Sequence, residues 1–116
     1  MKAQDLMVGD WIIINGEAMK VMPTLIDALF YDNPIKVEPI EIDEAILLAN
    51  GFENYKNIGS LRYYKNTKES LKFELYGGTL EDYTGNRICE IGFVHELQHA
   101  LRLMGLTDLA DNFKIA

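Results

Sequence analysis

Between residues 61 and 104 the hydrophobic pattern changes its period, and that change fixes the class of fold. Leu71, Phe73 and Leu75 alternate with Lys72, Glu74 and Tyr76, the two-residue repeat of a strand with one buried face. Phe93, Val94, Leu97, Ala100, Leu101 and Met104 instead recur at the 3.6 spacing of an amphipathic helix, predicted over about 93–104. The stretch from Leu61 to Ile91 reads as strands separated by turns at Gly77-Gly78 and Thr84-Gly85-Asn86, with Arg87 to Ile91 as the last strand. Gly105 ends the helix, and Thr107 is placed to cap one more short turn. Strands followed by a packing helix predict an α+β fold whose C-terminal amphipathic helix lies across the second, antiparallel sheet.

The N-terminal half supplies the other elements. Asp10 to Ile14 is short, β-branched and aromatic, and Asn15-Gly16 suits a type I′ turn, in which both central residues need positive φ. With Glu17 to Met22 returning, the segment predicts a β-hairpin led by a tight turn at Val8-Gly9-Asp10. By analogy such a start resembles a partial SH3-like barrel, an analogy that carries no function. Leu25 to Tyr31 is open between a strand and a helical turn, bounded by Pro34 and Pro39. A short helix is predicted over about 44–50, with Asp43 as N-cap, Ile42 and Leu47 as a hydrophobic staple, and Gly51-Phe52 as a Schellman ending.

A chain of 116 residues predicts a single domain, 1–116, with one core. Its 48% hydrophobic and 25% charged residues match an ordinary globular composition. Eleven Lys and Arg against eighteen Asp and Glu leave −7. That balance excludes a nucleic-acid binder relying on overall positive charge and makes nucleic acid an unexpected partner. The lone Cys89 forms no intrachain disulfide, which points to a reducing cytoplasm, and it reads as a small core residue of a buried strand. The start has no signal-peptide core, and the longest apolar run, Ala45 to Ala49, is far short of a membrane span.

One motif has a defined chemistry. His95-Glu96-Leu97-Gln98-His99 is an H-E-x-x-H pentapeptide. Histidines at i and i+4 share a helix face and can ligate one zinc, while the glutamate between takes a proton from the metal-bound water. A zinc-dependent hydrolase would use His95 and His99 as ligands and Glu96 as general base. Against this, with Phe93 at zero, the apolar stripe centres near about 40° and the histidines fall at about 200° and 240°. They share that side with Gln98 and Arg102, which predicts a solvated face. Seventeen residues follow His99, offering only Asp108 and Asp111 as acids, and Arg102 stands where a longer zincin signature has glycine. The expectation is therefore no metal, no cofactor and no catalytic residue, with zinc at His95 and His99 as the alternative.

A second constellation lies in 54–73, where Lys56, Arg62, Lys65, Lys68 and Lys72 against Glu69 give a local +4, interleaved with Tyr55, Tyr63 and Tyr64. Basic residues among stackable rings suit single-stranded nucleic acid. A lysine-rich outer face on a hairpin, which also discourages edge-to-edge aggregation, accounts for the same residues.

Lys2-Ala3-Gln4-Asp5-Leu6-Met7-Val8-Gly9-Asp10-Trp11 resembles the K-A-x-D-L-R-x-G-N-x-V opening of a family of small uncharacterised proteins from Bacteroides-type bacteria and their phages. Glu38 to Glu44, Leu47 and Gly51-Phe52 look like that family's middle segment, and Val94 to His99 like its V-H-x-L-Q-N helix signature. The resemblance implies a phage- or mobile-element-related accessory protein that acts by macromolecular contact, with no established activity, cofactor or substrate. Glu96 stands at a variable position of that signature and His99 where Asn is usual, so the zinc-like pentapeptide arises from substitutions on a structural helix. His95 and Gln98 then become candidates for hydrogen bonding at the helix surface, beside Arg62, Lys65 and Lys68 on the basic stretch. The expected partner is an unidentified protein or a second copy of the chain.

Overall fold

A computed structural model describes residues 5–24, 36–82 and 84–115 and shows an α+β protein. In chain order it contains β1 (Trp11–Ile14), β2 (Glu17–Lys20), β3 (Val37–Glu38), α1 (Glu44–Ala49), β4 (Glu53–Ile58), β5 (Leu61–Asn66), β6 (Leu71–Leu75), β7 (Thr79–Asp82), β8 (Arg87–Glu90), α2 (Val94–Leu103) and α3 (Thr107–Asp111). The segment 25–31, open between strand and helix in the sequence, lies outside the described residues. No helix among them is long and apolar enough to cross a membrane. The chain gathers into two compact units, Met1–Glu41 with Phe93–Phe113, and Ile42–Gly92 with Lys114–Ala116.

The first unit begins with the hairpin. Asn15 and Gly16 take φ of 49° and 87°, as a type I′ turn requires, and set Ile14 opposite Glu17. β3 pairs antiparallel on the other side of β1, giving the order β2-β1-β3. Among the described residues this is a three-stranded sheet, and a fuller SH3-like barrel is not seen. Ile12 and Ile14 point into a core shared with Leu6, Val21 and Val37. Gly9 at φ 95° makes the turn into β1, where Asp10 N donates to Met7 O at 3.0 Å.

The same unit holds α2 and α3. Val94, Leu97 and Leu101 are buried, as the 3.6 spacing predicts. The helix groups with the N-terminal sheet in one compact unit. Its polar side chains bond to the start of β1. Leu106, rather than Thr107, occupies the N-cap position of α3.

In the second unit Asp43 Oδ1 accepts from Ile46 N at 2.9 Å and starts α1. Gly51 at φ 84° ends it, and Phe52 N returns to Leu47 O at 3.0 Å with the ring buried, the Schellman ending read from the sequence. The remaining strands form an antiparallel meander, β4-β5-β6-β7-β8. Leu71, Phe73 and Leu75 are buried alternately with half-buried Lys72 and Glu74. The 69° φ of Gly78 and the 2.7 Å that would separate an added Cβ from Ile91 O explain a glycine between β6 and β7. Cys89 is half-buried on β8, an edge strand with three exposed residues, which corrects the buried-strand expectation.

Candidate functional site

Asp10 organises the polar side of α2. Its side chain is fully buried, an unusual position for a carboxylate, and the bonds it accepts compensate its charge. Oδ1 accepts from Arg102 Nη1 at 2.7 Å, and Oδ2 accepts from Met7 N at 2.8 Å and pairs with His99 Nε2 at 2.6 Å. An ionised carboxylate only accepts, so Nε2 of His99 is the protonated ring nitrogen. Burial alone would raise the Asp10 pKa. The bonds from His99, Arg102 and Met7 N outweigh it and hold the carboxyl below its ordinary value. Arg102 also reaches Asp111 Oδ1 and Val8 O, each at 3.4 Å. An added Cβ at Gly9 would come within 3.0 Å of this guanidinium, a second reason for glycine there.

Gln98, one turn before Arg102, is also fully buried. Its Oε1 accepts from Trp11 N at 2.8 Å, and its Nε2 donates to Gly9 O and Ala110 O at 2.9 and 3.0 Å. The solvated face expected from the helical wheel is therefore a buried polar seam joining α2 to the turn before β1 and to α3. Gln98 is not a surface contact residue. His95 is only 8% exposed and is likewise no open surface residue. The wheel alone cannot foresee this, because it ranks side chains by polarity and does not know that Asp10 and two backbone carbonyls face them.

Glu96 sits at the third position of α2, where its Oε1 accepts from Phe93 N at 3.0 Å, half of a capping box. His95 and His99 meet edge to face with ring centroids 5.7 Å apart, and Phe93 stacks on His95 at 6.2 Å. Burial depresses the His95 pKa against the opposing pull of Asp10 and Glu96. Among the described residues no group of three or more His, Cys, Asp or Glu is arranged to hold a metal ion. These side chains border a cavity of about 600 Å³ lined by Asp5, Met7, Pro39, Phe93, His95, Glu96 and His99.

The basic stretch forms the outer face of the meander. Register places Lys56 opposite Tyr63, Lys65 opposite Lys72, and Lys72 opposite Glu81, so these side chains share one face. Tyr55, at an irregularity in the β4 pairing, meets Tyr63 edge to face at 6.3 Å. Lys56 Nζ lies 4.7 Å from the Tyr63 centroid and 5.8 Å from that of Tyr55. Lys65 and Lys72 stand 5.9 and 5.7 Å from Tyr55. Burial, then Glu81, Tyr63 and Glu74, raise the Tyr55 pKa, so acids border the cluster. Of the sequence candidates, Lys65 joins the cluster and Lys68 is exposed in the turn after β5. Arg62 alternates to the other face with Tyr64, which is fully buried and not available for stacking.

Sequence reasoning gives Asp10 no functional role, placing it in the entry turn and at the head of the first strand. A usable signal exists: a lone acid directly before the run Trp11-Ile12-Ile13-Ile14 enters a core and needs cationic partners. No family model matches the chain, and no curated protein or solved structure is significantly similar to it.

Proposed function

We propose that this is a non-enzymatic accessory protein that acts by contact with another macromolecule through the outer face of its five-stranded sheet. The observation that carries the reading is the Tyr55–Tyr63 pair surrounded by Lys56, Lys65 and Lys72. Half-exposed tyrosines beside flexible cations are typical anchors of a recognition surface. Glu74 and Glu81 at the border favour a protein with a mixed charge pattern over a continuous polyphosphate. The resemblance to the Bacteroides-type family supports a phage or mobile-element setting, and the single cysteine supports a cytoplasmic one. The zinc-hydrolase alternative draws no support from Glu96, whose carboxylate bonds the first turn of α2.

Affinity capture from the source cell compares the wild type with Tyr63→Ala and Lys56→Ala. A partner retained by the wild type and lost from both variants agrees with the reading. Equal retention by all three refutes it. Light scattering of the same samples tests whether the partner is a second copy. The interleaving of rings and lysines favours one second reading, single-stranded nucleic acid on this face. It predicts fluorescence anisotropy with an oligothymidylate that rises at low salt and collapses steeply as salt is added.

A further inference from the structure

We propose that the outer face of the five-stranded sheet docks on the same face of a second copy of the chain, about a two-fold axis running along the central strand β6. The inference rests on the sheet-face reading above and names its partner.

Strand register sets two continuous rows across this face. One runs Glu53, Lys65, Lys72, Glu81, Arg87 from β4 to β8, and the other Lys56, Tyr63, Glu74, Thr79, Glu90. Five of the charged residues are exposed, and Lys72, Glu74 and Glu81 are half-buried. A two-fold along β6 reverses the strand order, so β4 of one copy lies over β8 of the other and β5 over β7. Glu53 then meets Arg87 of the second copy, Lys56 meets Glu90, and Lys65 meets Glu81, and the symmetry repeats each contact. On the axis Lys72 and Glu74 alternate along β6, so the lysine of one copy reaches the glutamate of the other on the diagonal. Every charge of the two rows thus finds its opposite. A two-fold across the strands does less, because it sets Lys65 over Tyr63 and Glu81 over Thr79.

Two features within one copy point the same way. Lys65 and Lys72 stand directly opposite each other, a like-charge pair that destabilises a sheet, and they share the Tyr55 ring at 5.9 and 5.7 Å. Glu81 of the second copy offsets that repulsion. Resting on a ring does not prevent this, since an ammonium has three N–H donors. Arg87 and Glu90 pair with each other at 3.3 Å, but their side chains are 66% and 76% exposed, and so open a pair is weak enough to exchange partners. The face measures about 20 Å across its strands and about 17 Å along them, roughly 350 Å² against about 800 Å² for a standard partner surface. The association is therefore weak, and because charge drives it, salt weakens it further.

The test is sedimentation velocity of the full chain at up to about 1 mM, in about 0.05 M and about 1 M salt. The expected result is a mass that rises from monomer towards dimer with concentration at low salt, and a monomer at high salt. Lys65→Glu and Glu81→Lys each place like charges at both symmetry-related contacts and should weaken self-association by about tenfold or more. Mixing these two variants in equal amounts should restore dimers, because both contacts then join opposite charges. Lys68→Glu alters net charge as Lys65→Glu does, from a turn outside both rows, and should stay within about twofold of the wild type. Unchanged circular dichroism shows that each variant folds. A wild type that stays monomeric at low salt overturns the proposal. So does a mixture no heavier than its separate components, or an equal loss in Lys68→Glu. Capture from the source cell separates the two readings: a monomeric wild type whose partner is lost in Tyr63→Ala overturns the dimer and leaves the sheet-face reading standing.

Discussion

Asp10→Asn removes one negative charge from a fully buried position while preserving shape. In the native protein Asp10 compensates Arg102, whose side chain is 11% exposed, and His99, whose side chain is 27% exposed. An asparagine oxygen can replace one acceptor, but its amide nitrogen then faces a donor, either the guanidinium or the imidazole N–H. Breaking a buried pair by removing one partner costs about 3–5 kcal/mol. Water can reach part of His99, so the lower end, about 3 kcal/mol, is expected here. Trp11 is the chain's only tryptophan and follows Asp10 directly, so its fluorescence in a urea titration reports the first unit. A slope of about 1–3 kcal/mol per molar turns that loss into a midpoint lower by roughly 1–3 M. Arg102→Met and the double variant complete a cycle, and a coupling energy above about 1 kcal/mol is expected. A loss under about 0.5 kcal/mol would refute the reasoning, because that is the range of an exposed pair. The pH dependence has a definite sign. The folded pKa of Asp10 is below its ordinary 3.8, so its stabilisation is present above that value and disappears as pH falls through the lower folded value. The gap between wild type and Asp10→Asn therefore narrows only below about pH 4.

Gly78→Ala should destabilise the second unit by about 1–3 kcal/mol, since it combines positive φ with a blocked Cβ, and calorimetry reads the lowered Tm. Asp43→Ala removes the cap of α1 and should cost about 1 kcal/mol in the same assay, with rescue by Asn. His95→Leu removes an orphaned polar atom and should be neutral or stabilising near neutral pH by chemical denaturation. A histidine with a depressed folded pKa contributes stability that is complete above the unfolded value of 6.5 and fades as pH falls below it. The acid loss that begins near pH 6.5 should therefore be shallower in His95→Leu than in the wild type.

The elements with strong local chemistry were readable from the sequence. Asn15-Gly16 permits the positive φ of a type I′ turn, Asp43 and Gly51 bound α1 with side-chain and backbone bonds of their own, and Leu71-Phe73-Leu75 needs one buried face whatever surrounds it. β4 was less readable because Glu53 to Ile58 exposes nearly every side chain, so no alternation marks it. The environment of α2 was the main miss. Its apolar stripe predicts the helix but says nothing of what covers the opposite side, where a turn about ninety residues away in sequence buries Gln98 and partly covers Arg102. Lys65 was found in the basic stretch, whereas the buried place of Tyr64 and the turn position of Lys68 depend on strand register, which alternation fixes only once both neighbours are known.

His99 and Arg102 hold Asp10, Gln98 ties α2 to the start of β1, and Glu96 caps the helix, and on these roles the account rests. Long-range ¹H–¹⁵N correlation of the two histidine rings tests it most directly. The prediction is a slowly exchanging, low-field Nε2–H on His99 that vanishes in Asp10→Asn, with both ring spectra unchanged by equimolar zinc. Zinc-induced shifts of both rings with release of the Asp10–His99 proton would contradict it and restore the metal site read from the pentapeptide.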